Sequence, residues 1–140
     1  MRLRSLAAAL LLLSPFVLHA QFYSLETKNL RLIYYTKAHE YIVPHVARSF
    51  ENAMAFHSKL FDYVPSEKVS LILQDFGDYA GGGANTVPYN LIGIGIAPFN
   101  YAYETMPPLE RMSMMMNHEL VHIATMDKAS PSDKFFRGVF

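Results

Sequence analysis

Two stretches of the chain carry apolar side chains at helical spacing. In the first, over residues 42–60, apolar positions recur every three or four residues and charged residues fall between them. Its stripe consists of Ile42, Val46, Phe50, Ala53, His57 and Leu60. Pro44 fits only in a first helical turn. The second stretch, over residues 109–126, is rich in strong helix formers and follows Pro107 and Pro108. We therefore predict two long helices.

Runs of β-branched and aromatic residues predict strands before and between these helices. The four predicted strands are residues 30–35, 69–75, 84–87 and 91–96. The last two are expected to form a hairpin, in which Pro88 places the first arm at a sheet edge because proline has no amide donor. The glycine-rich segment over residues 75–83 is expected to be a loop. The order of elements predicts an α/β or α+β layer with helices against a mixed sheet.

Composition limits the class of protein. A chain of 140 residues with 51% apolar and 17% charged side chains suits one domain with a buried core. The formal net charge is zero and basic residues do not cluster, so a nucleic-acid binder with a basic face is not expected. The absence of Cys from the sequence excludes disulfides, thiolate metal sites and cysteine nucleophiles.

Residues 1–20 have the order of a secretory signal peptide. Arg2 and Arg4 precede an apolar run over residues 6–18, and Ala20 precedes polar sequence. The run is short for a membrane span, which needs about 20 apolar residues, although an uncleaved anchor is the alternative. Residues 21–140 carry 10 basic and 12 acidic side chains. We expect a mildly acidic, secreted or periplasmic protein with no stable membrane span after signal removal.

The motif with the clearest chemistry lies in the second predicted helix. His118 and His122 are four residues apart, so their side chains lie on one helix face and can bind a single zinc ion. Glu119 is rotated by about 100° from His118 and borders the open side of that ion. This HExxH arrangement is typical of metalloproteases, in which the glutamate acts as general base toward a metal-activated water. The alternative is a helix with two unrelated histidines.

A run of methionines precedes this motif within the same predicted helix. Thioethers favour Cu(I), and exposed methionines can also contact lipid. The run consists of Met112, Met114, Met115 and Met116. These positions point around most of a helix rather than toward one centre, so we predict that they pack in a core. His57 lies on the apolar stripe of the first helix and is likewise expected to be a core histidine.

Residues 117–125 resemble the zincin metallopeptidases, and among them the gluzincin, thermolysin-like group and its peptidase MA-like domains. The chain does not resemble metzincins, because Thr125 and Lys128 occupy the positions at which that group has Gly and His. The resemblance implies an α+β zincin-like fold whose second long helix binds the metal. It implies His118 and His122 as zinc ligands and Glu119 as general base.

The resemblance also implies a third zinc ligand, a glutamate on a later helix. No Glu follows Glu119, and only Asp127 and Asp133 remain as later carboxylates. Asp127 is poorly spaced to be a ligand but could orient one, and Asp133 is a less favoured ligand. We therefore expect the glutamate beyond residue 140. On this view residues 21–140 are the N-terminal part of an incomplete domain that continues past the chain end.

In zincins an edge strand above the metal binds the substrate as an added strand. The first arm of the predicted hairpin has the corresponding position, which implies Ala84, Asn85 and Thr86 as substrate-binding residues. An ordinary hairpin beside a glycine-rich turn is the alternative. The leading hypothesis is zinc-dependent hydrolysis of peptide or protein substrates. The alternatives are a non-catalytic zincin-fold scaffold or binding module of a larger secreted protein, and a truncated form that is inactive because it holds zinc weakly.

Overall fold

The computed structural model describes residues 22–75, 81–96, 110–128 and 135. In these parts the chain has an α+β fold with a mixed five-stranded sheet and two long helices. The elements are β1 (Tyr23–Glu26), β2 (Leu30–Tyr34), a short 3₁₀ turn (Lys37–His39), α1 (Val43–Leu60), β3 (Val69–Gln74), β4 (Gly82–Asn85), β5 (Leu91–Gly95) and α2 (Arg111–Asp127). The predicted leader over residues 1–20, Pro107, Pro108 and Asp133 lie outside the described residues.

The sheet has the strand order β1-β2-β3-β5-β4. Its three central strands are parallel, with Leu32 opposite Leu71 and Leu71 opposite Ile92. The two outer strands are antiparallel to their neighbours. Helix α1 connects β2 to β3, as a parallel pair requires a crossover. Among the described residues β4 pairs with β5 alone, so the first arm of the hairpin lies at a sheet edge, as predicted.

Both helices cover the same face of the sheet. Alternate residues of the central strands point toward them and are fully buried, among them Leu32, Leu71 and Ile92. Phe50 of α1 and Met116 of α2 belong to the same buried cluster. The opposite face carries half-buried and exposed side chains and has shallow grooves beside Arg31, Ile33 and Ile72. The grooves are therefore on the side of the sheet away from α2.

One strand was missed by the sequence analysis, and the bounds of another were wrong. Strand β1 was not predicted, although Tyr23 and Leu25 alternate with polar residues and pair with β2. The first arm of the hairpin begins two residues earlier than predicted, so Gly82 and Gly83 belong to β4 rather than to a loop. The strand ends at Asn85 because the side-chain Oδ1 of Asn85 accepts a hydrogen bond from the amide of Val87 at 3.1 Å and closes a turn.

The boundaries of the helices follow from their first turns. Pro44 lies in the first turn of α1, as predicted. Helix α2 begins at Arg111 rather than at residue 109, because the carboxylate of Glu110 accepts hydrogen bonds from the amides of Met112 and Ser113 at 3.0 and 2.7 Å. Glu110 is thus the N-cap of the helix that carries the HExxH motif.

Candidate metal centre

Helix α2 packs beside α1 and against the sheet through its apolar residues. The side chains of Met112, Met115 and Met116 are buried in the core, and Met114 packs partly against it. The packing interpretation of the methionine run is therefore confirmed. This burial fixes the rotation of α2 about its axis, because only one face of the helix can meet the sheet. The remaining, exposed face of the helix carries His118 and His122.

His118 and His122 lie on that exposed face and point toward each other. Their Nε2 atoms are 3.2 Å apart, their ring centroids are 4.9 Å apart and their ring planes are inclined by 77°. Two nitrogens bound to one tetrahedral zinc ion at 2.0–2.1 Å would be separated by about 3.3 Å. The separation of the two Nε2 atoms is therefore close to the one that a shared zinc ion requires. The tautomers of the two rings decide which nitrogen donates and which accepts in this contact.

Glu119 lies on the buried side of the same helical turn. Its side chain is only 4% exposed, and its Oε2 atom is buried without a hydrogen-bond partner among the described residues. Burial raises the pKa of Glu119, and the charges of His118 and His122 partly oppose this effect. Buried polar atoms are normally hydrogen-bonded. An unpartnered carboxylate oxygen next to two convergent imidazoles is therefore an unusual feature that stability alone does not explain.

Strand β4 covers the carboxylate of Glu119. A methyl group added to Gly82 would lie 2.6 Å from Oε1 and 3.2 Å from Cδ of Glu119. The glutamate therefore occupies the space that any larger residue at position 82 would need. The sequence analysis did not identify Gly82, because a contact between residues 37 positions apart leaves no signal in local spacing. The run of three glycines was the only available indication.

The structure places the predicted substrate-binding residues at the end of β4 and just beyond it. Ala84 is half-buried on the helix side of the sheet, and Asn85 is exposed on the opposite side. Thr86 follows the strand and is buried. The side-chain oxygen of Asn85 accepts the amide hydrogen of Val87, so Asn85 contributes to the turn. Of the three residues, Ala84 is the one whose side chain faces α2.

The free edge of β4 presents main-chain groups at two residues. Gly95 donates its amide to the carbonyl of the opposite residue, Gly81, at 2.7 Å. In an antiparallel pair, residues that bond across the pair alternate with residues whose N–H and C=O point outward. Gly83 and Asn85 therefore bond toward β5, whereas Gly82 and Ala84 direct their N–H and C=O groups to the free edge. No described strand lies beyond that edge.

A hydrogen bond between the two helices supports α2 just before the motif. His57 of α1 is buried, and its Nε2 lies 3.0 Å from Oδ1 of Asn117. The amide nitrogen of Asn117 donates to the carbonyl of Ser113 at 2.7 Å, so Oδ1 is the acceptor and His57 Nε2 the donor. His57 is thus a core histidine with a partner, as predicted, and it fixes the residue that precedes His118.

No third ligand lies with the two histidines in the part of the chain that the structure describes. There, no group of three or more His, Cys, Asp or Glu side chains is arranged to hold a metal. Asp127 instead accepts a hydrogen bond from the hydroxyl of Tyr63 at the end of α2. Two imidazoles leave the other two positions of a tetrahedral ion open to further ligands and water.

Comparison with family models, with curated proteins and with solved structures finds no match to this chain. The helices within the described ranges are each too short or too polar to cross a lipid bilayer.

Proposed function

We propose that this chain is the metal-binding part of a zincin-type, zinc-dependent peptidase that acts outside the cytoplasm. The observation that carries the proposal is the 3.2 Å approach of the Nε2 atoms of His118 and His122 on an exposed helix face. Beside them lies the buried carboxylate of Glu119, one oxygen of which has no partner among the described residues. Two convergent imidazoles and an adjacent carboxylate are the combination that metal-assisted hydrolysis requires.

The proposed roles follow from where each side chain lies. His118 and His122 would hold the zinc ion, which when bound lowers the pKa of water to about 7 and polarises a carbonyl group. Glu119 would accept a proton from the attacking water and donate it to the leaving amine. Burial raises the pKa of Glu119 in the metal-free protein, so its carboxylate takes up a proton more readily there than an exposed glutamate does.

The free edge of β4 supports a peptide as the substrate. An extended peptide can add to a sheet edge through main-chain hydrogen bonds, which depend little on its side chains. The outward N–H and C=O groups of Gly82 and Ala84 provide such an edge beside Glu119. We therefore propose peptide or protein segments in extended conformation as the substrate class.

The first test compares the parent chain with the variant Glu119→Gln. Gln has nearly the same shape but cannot act as a base, so hydrolysis of a peptide library should fall by at least about 10²-fold while zinc binding persists. The matched control is Glu40→Gln, the same chemical change at an exposed position away from the motif. Zinc content after dialysis and the rate of peptide cleavage are measured for all three proteins.

A second pair of variants tests the metal ligands. His118→Gln and His122→Gln should each weaken zinc binding by more than the 10–100-fold that is typical for loss of an outer-shell partner. Unchanged zinc affinity in both would show that the imidazoles do not bind the ion. Firm zinc binding by the parent without cleavage of any peptide would instead favour a non-catalytic scaffold.

A further inference from the structure

All three atoms nearest to a methyl group added at Gly82 belong to one side chain, that of Glu119. Three atoms of Glu119 fill the space beside Gly82, with Oε1, Cδ and Cγ at 2.6, 3.2 and 3.4 Å from the position of an added methyl group. The adjacent Gly83 has no atom within 4 Å of the corresponding position. The candidate base therefore fills the space beside Gly82, whereas the space beside Gly83 is open.

Glycine is not required at position 82 by the backbone. None of the described glycines has a positive φ, so an L-residue could adopt the same main-chain conformation. In a strand, glycine is normally less favourable than alanine by its conformational entropy. The close approach of Glu119 is thus the physical reason that the structure offers for glycine at this position.

Gly82 also lies where a peptide strand would meet the candidate base. Its N–H and C=O groups point to the free edge of β4, while its Cα faces Glu119. A peptide that pairs with β4 at Gly82 would therefore lie next to the strand residue that contacts the carboxylate of Glu119. Ala84, two residues further along, directs its own main-chain groups to the same edge.

We propose that Gly82 is a positioning residue, which by lacking a side chain holds the Glu119 carboxylate under the edge strand in register with an extended peptide bound to β4. The catalytic part of this inference depends on the proposed function. The contact itself does not, because it can be measured in the metal-free protein.

The contact is tested by a double-mutant cycle on the full, metal-free chain. Gly82→Ala should lower the urea midpoint of unfolding in the parent but not in a Glu119→Ala background, where the obstructing atoms are absent. The matched control is Gly83→Ala, which should change the midpoint equally in both backgrounds. If Gly82→Ala also acts equally in both backgrounds, the proposed contact is overturned.

The positioning role is tested by kinetics on the zinc-loaded chain. Gly82→Ala should lower kcat by about 10²-fold, since small displacements of a catalytic group have effects of that size. Its zinc affinity should equal that of the parent, and KM should change less than kcat. An active parent whose Gly82→Ala variant keeps its kcat would overturn the role. A zinc-loaded parent that cleaves no peptide would contradict the proposed function instead, and the cycle would then decide the contact by itself.

Discussion

Glu119 is placed where it costs the protein stability. Its carboxylate is buried, and one oxygen finds no hydrogen-bond partner in the described part of the chain, which is less favourable than full solvation in the unfolded chain. Burial, opposed in part by His118 and His122, leaves the pKa of Glu119 above its ordinary value in the metal-free protein. At a given pH the carboxylate is therefore protonated to a greater extent in the folded chain than in the unfolded chain. Between the unfolded and folded pKa values, stability must decrease as the pH rises, because the unfolded chain loses its proton first.

Glu119→Gln should therefore stabilise the metal-free protein at neutral pH. The gain should shrink as the pH falls toward the ordinary pKa of glutamate, where the parent becomes neutral as well. Urea unfolding of parent and variant, measured at pH 7.5 and near pH 4, checks this. Glu40→Gln is the control at an exposed position and should show no such gain. A variant less stable than the parent at both pH values would contradict the expected cost of the buried charge.

Single residues of the site differ in how far the sequence predicts them. The convergence of His118 and His122 follows from helical spacing alone, and the structure places their nitrogens 3.2 Å apart. The burial of Glu119 depends on what covers α2, and the covering residue Gly82 is distant in the sequence. The substrate contact of Asn85 stays a prediction. In the structure its side-chain oxygen accepts the amide hydrogen of Val87, because a short amide side chain readily bonds to the nearby backbone.

At the scale of elements, the first turn of α2 links the motif helix to α1. Glu110 accepts hydrogen bonds from two amides of α2 and lies 3.0 Å from Nε2 of His45 on α1. Burial opposes its ionisation, but the hydrogen bonds from His45, Ser113 and Met112 outweigh this and lower the pKa of Glu110 to about 2. The ionised carboxylate therefore stabilises the start of the helix that carries the metal ligands.

Glu110→Ala should lower the free energy of unfolding at pH 7 by about 1 kcal/mol, as loss of an N-cap usually does. Because the folded pKa is depressed, this contribution is present above the ordinary pKa of 4.5 and is lost as the pH falls toward 2. Denaturant unfolding across that range measures it. Glu110→Gln retains a hydrogen-bond acceptor without the charge, so it should lose this pH dependence. The difference in free energy of unfolding between the parent and Glu110→Gln should be larger at pH 5 than at pH 2.5. An equal difference at the two pH values would contradict the depressed pKa of Glu110.

Elements were predicted well where the periodic pattern of apolar residues extended over many residues. The 18-residue helix α1 lies within one residue of the predicted start and ends at the predicted residue, since its stripe spans five turns. Short strands were less certain. The four residues of β1 alternate correctly, but such a short pattern carries little weight without a partner strand. Strand β4 consists half of glycine, so its pairing with β5 could not be read from side-chain pattern.

At the scale of the whole molecule, the candidate metal centre and the core share one helix. Met116, Leu120 and Ile123 of α2 are fully or almost fully buried, while His118 and His122 stand on the opposite side of the same turns. Zinc bound by these two histidines would therefore act on a helix that also forms part of the core. Zinc that binds only the folded chain should stabilise the entire domain.

Zinc at about 100 times its dissociation constant should raise the free energy of unfolding by about 2.7 kcal/mol. Thermal unfolding of the full chain, with zinc and after chelation, measures this. Replacing both ligands, as in His118→Gln with His122→Gln, should abolish the difference between the two conditions. A stabilisation that persists in the double variant would mean that zinc binds elsewhere.

The edge position of β4 has a consequence for dynamics. The parallel strand β3 is held by neighbours on both sides and by residues distant in the sequence, whereas β4 has a single described neighbour, joined to it by a short turn. Local opening of an edge strand breaks fewer interactions than opening of a central strand. The hairpin arm can therefore separate while the central strands stay paired, and each such excursion would expose the buried carboxylate of Glu119 more fully to solvent.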